Sequence, residues 1–363
     1  MSADAVRPPA PSHPLPGRRP VPVPDPPPTM TAVVTDRYGP PEVLAVREVP
    51  VPAPRPHEVL VAVEASSLNA LDWHLLTGTP YLVRPANGLL RPRRRTPGAD
   101  VAGTVLATGS RVTAWRPGDR VFGEAAGGGC APYAVVDAAH LVALPAEVSA
   151  RDAGATPVAG VTALQALRTH GRVRSGEHVI VNGAAGGVGT FAVQVAKALG
   201  AEVTAVCSGR NVDLVRSLGA DRVVDHTAED VTSTGVSADV VLDGVGNHPA
   251  SAWLPLLRPG ARFVAISGPK SNRWLGPVPH LVRTALAFRR AEPSFHQFTA
   301  APVREDLEQL GAWLASGTVR PAVDRVVGLG GVVDALTEIG GGHTRAKIVV
   351  DPSVTGPGAP SGP

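Results

Sequence analysis

Val179-Ile-Val-Asn-Gly-Ala-Ala-Gly-Gly-Val-Gly189 sets an apolar run of strand type directly against a turn built from glycines and alanines. The turn leads into Val188 to Leu199, whose composition suits a helix. A dinucleotide pyrophosphate needs that context: a tight turn, backbone N–H groups that approach the phosphates, and a helix N-terminus facing the negative charge. Gly186 and Gly189 stand at the second and third glycine positions of such a fingerprint, and Ala184 replaces the first. Ala184, Ala185, Gly186, Gly187, Val188 and Gly189 are therefore the expected cradle. A glycine-rich loop can also be a plain connector; the strand before it and the helix after it favour the nucleotide.

Working outward, the same rhythm recurs. Apolar runs at Glu202 to Val206, Val223-Val224, Val240 to Leu242 and Phe263 to Ile266 alternate with helical stretches such as Val212 to Leu218. Short, wholly apolar strands between helices indicate a parallel sheet covered on both faces. Residues 151–289 are expected to form a doubly wound α/β unit of Rossmann type. The preceding part differs: Val59 to Glu64, Val101 to Ala107 and Arg120 to Phe122 are strands set off by Pro-Gly turns, so 30–150 is mainly β, with 290–351 completing the fold. Eleven of the 38 prolines fall between Pro8 and Pro28 with almost nothing bulky and apolar beside them, so residues 1–29 are expected to be a disordered arm and 352–363 a loose tail. The arm has no apolar stretch of signal-peptide type, and Met30 offers a second start for translation.

At 363 residues the chain can hold about two domains. It has no apolar run of about 18 residues to span a bilayer. A net charge of +3 is too small to indicate nucleic acid as partner. The basic run Arg91-Pro-Arg-Arg-Arg95 lacks interleaved aromatics and suits a solvated loop. Two cysteines, Cys130 and Cys207, leave no scope for a thiolate-rich metal site and fit a reducing cytoplasm.

Cofactor choice is decided where the strand after the glycine turn ends, about 20 residues on, because an acidic side chain there binds a ribose 2′-OH and repels a 2′-phosphate. That place is Val206-Cys-Ser-Gly-Arg-Asn211, with no Asp or Glu. Ser208 can donate to a phosphate oxygen and Arg210 offers a cationic fork, so NADP(H) is expected over NAD(H), with Asn211 alongside. Arg210 also suits a plain solvated charge.

With both halves in view, the chain resembles the medium-chain dehydrogenase/reductase superfamily and, within it, the zinc-independent quinone oxidoreductases related to zeta-crystallin. The resemblance is carried by Val63-Glu-Ala-Ser-Ser-Leu-Asn-Ala-Leu-Asp72, Pro97-Gly-Ala-Asp-Val-Ala-Gly103, Gly109-Ser-Arg-Val112 with Pro117-Gly-Asp-Arg-Val121, and Asn182 to Gly189. It implies a GroES-like domain joined to a Rossmann domain, an active cleft where the two meet, and a homodimer. In zinc members of the superfamily a cysteine, a His-Glu pair and a second ligand hold the metal; the corresponding places here are Asn69, Ala99-Asp100 and the neighbourhood of Val158, so no metal is expected. The resemblance also places Asn69 and Thr162 beside the nicotinamide, with Asp72 in the same catalytic group. It suggests cofactor contacts for Gly244, Val245, Ser267, Gly268 and Lys347, and for His226 where relatives often carry a tyrosine. Asn69 and Asp72 equally suit a helix cap, and Thr162 a bond to its own helix backbone. Trp73, Tyr81 and Trp274 are candidate walls of the substrate cleft or packing residues.

Without a Lewis acid, alcohol oxidation lacks a device to lower the alcohol pKa, whereas a conjugated acceptor takes hydride readily. The expected activity is NADPH-dependent, zinc-independent reduction of quinones or α,β-unsaturated carbonyls. The alternatives are an alcohol dehydrogenase, an enoyl reductase of a biosynthetic pathway, or an NADPH-binding sensor without turnover.

Overall fold

The computed structural model describes residues 25–269, 272–342 and 344–354. Most of the expected N-terminal arm, 1–24, and most of the tail, 355–363, lie outside the described residues. Where the arm is described, its end is ordered: Thr29 already belongs to the strand β1 (Thr29–Val34), which pairs antiparallel with β2 (Ala45–Pro50).

The mainly-β half follows with β3 (Glu58–Leu68), α1 (Ala70–Thr77), α2 (Arg84–Asn87), β4 (Asp100–Thr108), β5 (Arg120–Glu124), β6 (Tyr133–Asp137) and β7 (Leu141–Ala143). The helices α3 (Ala150–Gly154) and α4 (Pro157–Leu164) lead out of it, and α4 continues as a π-helical turn over Gln165–His170. Gln165 Nε2 there donates to the Ala301 carbonyl (2.9 Å) and to Asp306 Oδ2 (2.7 Å), and Arg168 pairs with the same buried carboxylate.

The α/β half contains β8 (His178–Asn182), α5 (Gly187–Ala198), β9 (Glu202–Cys207), α6 (Val212–Ser217), β10 (Arg222–Asp225), β11 (Ala238–Asp243), α7 (Ala250–Trp253), β12 (Leu257–Ala265), α8 (Val278–Phe288) and β13 (Ser294–Gln297). Its six strands are all parallel, in the order β10-β9-β8-β11-β12-β13. Every residue of β8 is buried, as a central strand covered on both faces requires. The chain reverses its direction of travel across the sheet between β8 and β11, and at such a switch point the carboxyl ends of the strands open a crevice. The sixth strand corrects the expected boundary at 289: Phe263 pairs with Phe295 in parallel register, so this unit extends through Gln297.

After α9 (Arg304–Ser316), β14 (Val323–Val327) and α10 (Val332–Gly341), the chain returns to the first half as β15 (Lys347–Val350). Ile348 sits opposite Leu68 on β3, giving a seven-stranded sheet in the order β14-β15-β3-β4-β5-β7, with β6 also on β3. Leu68, Leu76, Leu336, Ile339 and Ile348 form one buried cluster, so the C-terminal segment supplies core to the N-terminal domain. Another cluster runs from Phe122 and Val142 through Leu164, Leu307 and Leu310 to Val181 and Phe191. The two halves thus share one continuous apolar seam.

Candidate active site

The turn after β8 is held by its own backbone. The N–H groups of Gly183 and Ala184 both donate to the Val206 carbonyl (3.2 and 3.0 Å), and that of Gly186 donates to the Gly183 carbonyl (3.1 Å). Gly183 has φ +86°, which an L side chain rarely adopts. A Cβ at Gly189 would lie 2.1 Å from the Gly183 oxygen and 2.7 Å from Ala184 Cα, so helix and turn meet only because position 189 is glycine. Ala184 is fully buried and its N–H is spent within the fold, where it shapes the turn. The same holds for the amide of Gly186. The first-turn amides of α5, at Gly187, Val188 and Gly189, are the ones helix geometry leaves to face an anion. This cradle fits a dinucleotide pyrophosphate.

Beside it, Asp243 ends β11 with its carboxylate buried. Its Oδ1 accepts from Asn182 Nδ2 (2.9 Å), Val245 N (3.0 Å) and Gly246 N (2.9 Å). This bracket seats Gly244 and Val245 against the glycine turn. At the end of β9, Asn211 Nδ2 donates to Ser208 Oγ (3.0 Å), which leaves the Ser208 hydroxyl proton to be offered elsewhere. Asn211 itself is buried, so its part is to orient Ser208. Arg210 and His226 are exposed at the same rim. Asp225, which the sequence reading passed over, also lies there; bonds from Thr227 and the Gly209 amide, with the charge of His226, hold its carboxyl below the usual range.

The second part of the site is a buried polar cluster at the start of α1. Asp100 Oδ1 accepts from Val158 N (2.7 Å); its Oδ2 accepts from Ser67 Oγ, Asn69 Nδ2 (2.8 Å) and Lys347 Nζ (3.3 Å). The Lys347 ammonium also donates to Asn69 Oδ1 and to the Leu68 carbonyl (3.3 Å). Lys347 is 1% exposed and Asp100 0%. Lys347 is thus the cation of this cluster, and its stem passes the cradle: a Cβ at Gly187 would lie 3.3 Å from Lys347 Cδ. The preceding residue ties the two parts together, since Ala346 N donates to the Ala185 carbonyl (2.7 Å) from a backbone with φ +51°.

Asn69 accordingly has its amide committed to Asp100 and Lys347 rather than turned to a ligand. Asp72 caps α1: its two oxygens accept from the N–H groups of Asn69 and Gly98, at 2.8 Å each. Burial raises the Asp72 carboxyl to about 6. Thr162 donates to the Val158 carbonyl of its own helix (2.6 Å), a back-bond that occupies its proton. Both cysteines are buried; burial pushes the Cys130 thiol well up and Cys207 to about 11, which disfavours either as a nucleophile.

Between the halves lies a cavity of about 540 Å³, lined on one side by Pro40, Trp73, His74 and Thr77 and on the other by Ile266, Ser267 and Gly268. Ser267 and Gly268 follow β12 at the carboxyl edge of the sheet, and Trp73 lines the cavity opposite them. Tyr81 and Trp274 instead meet edge to face (4.9 Å, 85°), while Tyr81 N and Leu82 N donate to the Arg273 and Trp274 carbonyls (2.9 and 3.2 Å). That pair latches the two halves beside the cavity. Asp100, Asp243 and His74 escaped the sequence reading as site residues; only Asp100 carried a signal, its place in Pro97-Gly-Ala-Asp100.

Residues 55–146 match the family model of the alcohol dehydrogenase GroES-like domain, and residues 218–350 match that of the zinc-binding dehydrogenases. The chloroplast envelope quinone oxidoreductase homolog of Arabidopsis thaliana is 34% identical over 317 residues, covering 84% of this chain and 93% of the relative. The trans-enoyl reductase pgmF of Aspergillus terreus is 32% identical over 319 residues, covering 81% and 86%. The solved structure of the quinone oxidoreductase from Coxiella burnetii superposes with a TM-score of 0.78 at 28% identity, covering 89% of this chain and 99% of that one. The zinc in the second model's description finds no fitting donor set here. A dication beside Asn69 and Asp100 would meet the Lys347 ammonium, and among the described residues no three His, Cys, Asp or Glu side chains converge. With these matches, the chain belongs to the medium-chain dehydrogenase/reductase superfamily, in its quinone-oxidoreductase-like branch.

Proposed function

We propose that the protein is an NADPH-dependent reductase of quinones or α,β-unsaturated carbonyls that works without zinc. The observation that carries this reading is the cavity itself. It adjoins the carboxyl edge of the parallel sheet and is walled by Trp73 and prolines, a shape for a flat, largely apolar acceptor. The cytoplasm and a homodimer remain part of the reading; among the described residues no helix is long and apolar enough to cross a membrane.

NADPH, when bound, supplies a hydride. The rest falls to the chain. Gly187, Val188 and Gly189 present backbone N–H groups to the pyrophosphate, and Ser208 with Arg210 binds the 2′-phosphate. Gly244, Val245, Ser267 and Gly268 bound the strip along the sheet edge that leads into the cavity. The seam between the halves excludes water and fixes the spacing of the two walls, so a planar acceptor is held at near-attack distance by packing. The Lys347–Asp100–Asn69 cluster keeps α1, and with it Trp73 and His74, fixed against that strip.

The test is NADPH oxidation with 9,10-phenanthrenequinone, an enone and a simple ketone, each with and without chelator. Turnover of the first two, unchanged by chelation and faster than with NADH, is the expected result. Tight NADPH binding with turnover of nothing would leave a sensor instead.

A further inference from the structure

We propose that His74 is the proton donor of this site and that the acceptor it serves is an α,β-unsaturated carbonyl; the proposal rests on the reductase reading above. His74 lines the cavity from α1, facing the Ile266 to Gly268 wall. Its Nδ1 lies 2.6 Å from the Thr79 carbonyl oxygen. A carbonyl only accepts, so Nδ1 carries hydrogen; Nε2 is then the lone-pair nitrogen of the neutral ring, and it holds the proton that can be transferred when the ring is the imidazolium. The Trp73 ring meets the imidazole edge to face (5.1 Å, 79°) and sets its plane. Among the described lining residues the other ionisable side chain is Arg273, whose guanidinium does not release protons near neutrality. Thr77 Oγ1 is bonded to the Trp73 carbonyl (2.8 Å) and to Thr79 Oγ1 (2.7 Å), so the cavity's threonines are already engaged with each other.

Hydride arrival at Cβ of the acceptor leaves an electron pair delocalised as an enolate. That pair forms the new Cα–H bond with the Nε2 proton of the imidazolium, the N–H bond pair stays on Nε2 to leave the neutral Nδ1–H ring, and that ring takes up the next proton from solvent. A reduced quinone is protonated on oxygen, which water accomplishes without help. Carbon is protonated slowly, and there a positioned general acid contributes about 10²–10⁴-fold. A histidine in this wall therefore points to the enone.

The experiment uses the full chain, NADPH and 2-methyl-2-cyclohexen-1-one in D2O, with product analysed at early times. The wild type is expected to place deuterium at Cα with one configuration in large excess. In His74→Phe and His74→Gln, with melting temperature and NADPH affinity near wild type as controls, turnover should fall on the order of 100-fold and the residual product approach a racemate; the loss with 9,10-phenanthrenequinone should be smaller. Undiminished enantiomeric excess in both variants overturns the proposal, as does a racemic wild-type product or a wild type that reduces the quinone but not the enone. Failure of the wild type with every acceptor sinks the reductase reading itself, before any variant is compared.

Discussion

The glycine turn at 183–189 and the cluster at Lys347 are neighbours joined by one hydrogen bond, Ala346 N to the Ala185 carbonyl, yet they are built on opposite plans. The turn works through backbone: its side chains are small so that main-chain atoms can come close. The cluster works through side chains drawn from positions 67, 69, 100 and 347, with a buried ion pair at its centre. The first kind of site tolerates no added atom, and the second tolerates no missing charge.

Removing the charge should produce the largest effect. Lys347→Met leaves the Asp100 carboxylate buried without a counterion, and a loss of about 3–5 kcal/mol in unfolding free energy is expected by denaturant titration. The double variant Asp100→Asn/Lys347→Met should recover much of it; equal loss in both would mean that packing, rather than charge, dominates. Adding an atom comes next. Gly189→Ala forces a Cβ onto the Gly183 oxygen, and NADPH affinity read by fluorescence titration should fall on the order of 100-fold. Arg210→Asp should raise the Michaelis constant for NADPH about tenfold with little change for NADH; equal use of both cofactors by the wild type would remove the basis for that expectation.

Two further effects, one of pH and one of backbone, sharpen the contrast. Burial, with the charges of Asp100 and Asp72, raises the Glu124 carboxyl from 4.5 to about 7. The folded state then keeps a proton that the unfolded chain releases, so this group's stabilising contribution is complete below pH 4.5 and lost as pH rises to about 7. Glu124→Gln should be more stable than wild type by about 3 kcal/mol at pH 8 and unchanged at pH 4. Asp72, raised to about 6, contributes a slope of the same sign that remains in the variant. Last, Ala346→Gly relieves the φ of +51° and should add about 0.5 kcal/mol to the unfolding free energy.

This contrast also explains what the sequence made legible. Val179 to Gly189 announces itself because strand, turn and helix are consecutive, and the parallel order of the sheet follows from the repetition of that unit. The extent of the sheet was less visible: β13 is four residues with only one large apolar side chain, Phe295, and nothing marks it as the sixth strand. Asp72 looks alike in sequence whether it caps a helix or serves a reaction, and only the amides of Asn69 and Gly98 on its oxygens decide. Lys347 and Asp100 are 247 residues apart, and no spacing rule links an ammonium to a carboxylate over that distance. The arrangement exists because β15 lies against β3.

That pairing has a bearing on synthesis. The domain whose strands emerge first cannot close until residues 347–350 have been made, because the flank of β3 at Ser66 to Leu68 has no neighbour before then. The later-translated Rossmann unit, continuous in the chain, can condense while its predecessor still waits with an open β edge. A growing polypeptide of this design depends on its youngest strand to shield its oldest sheet.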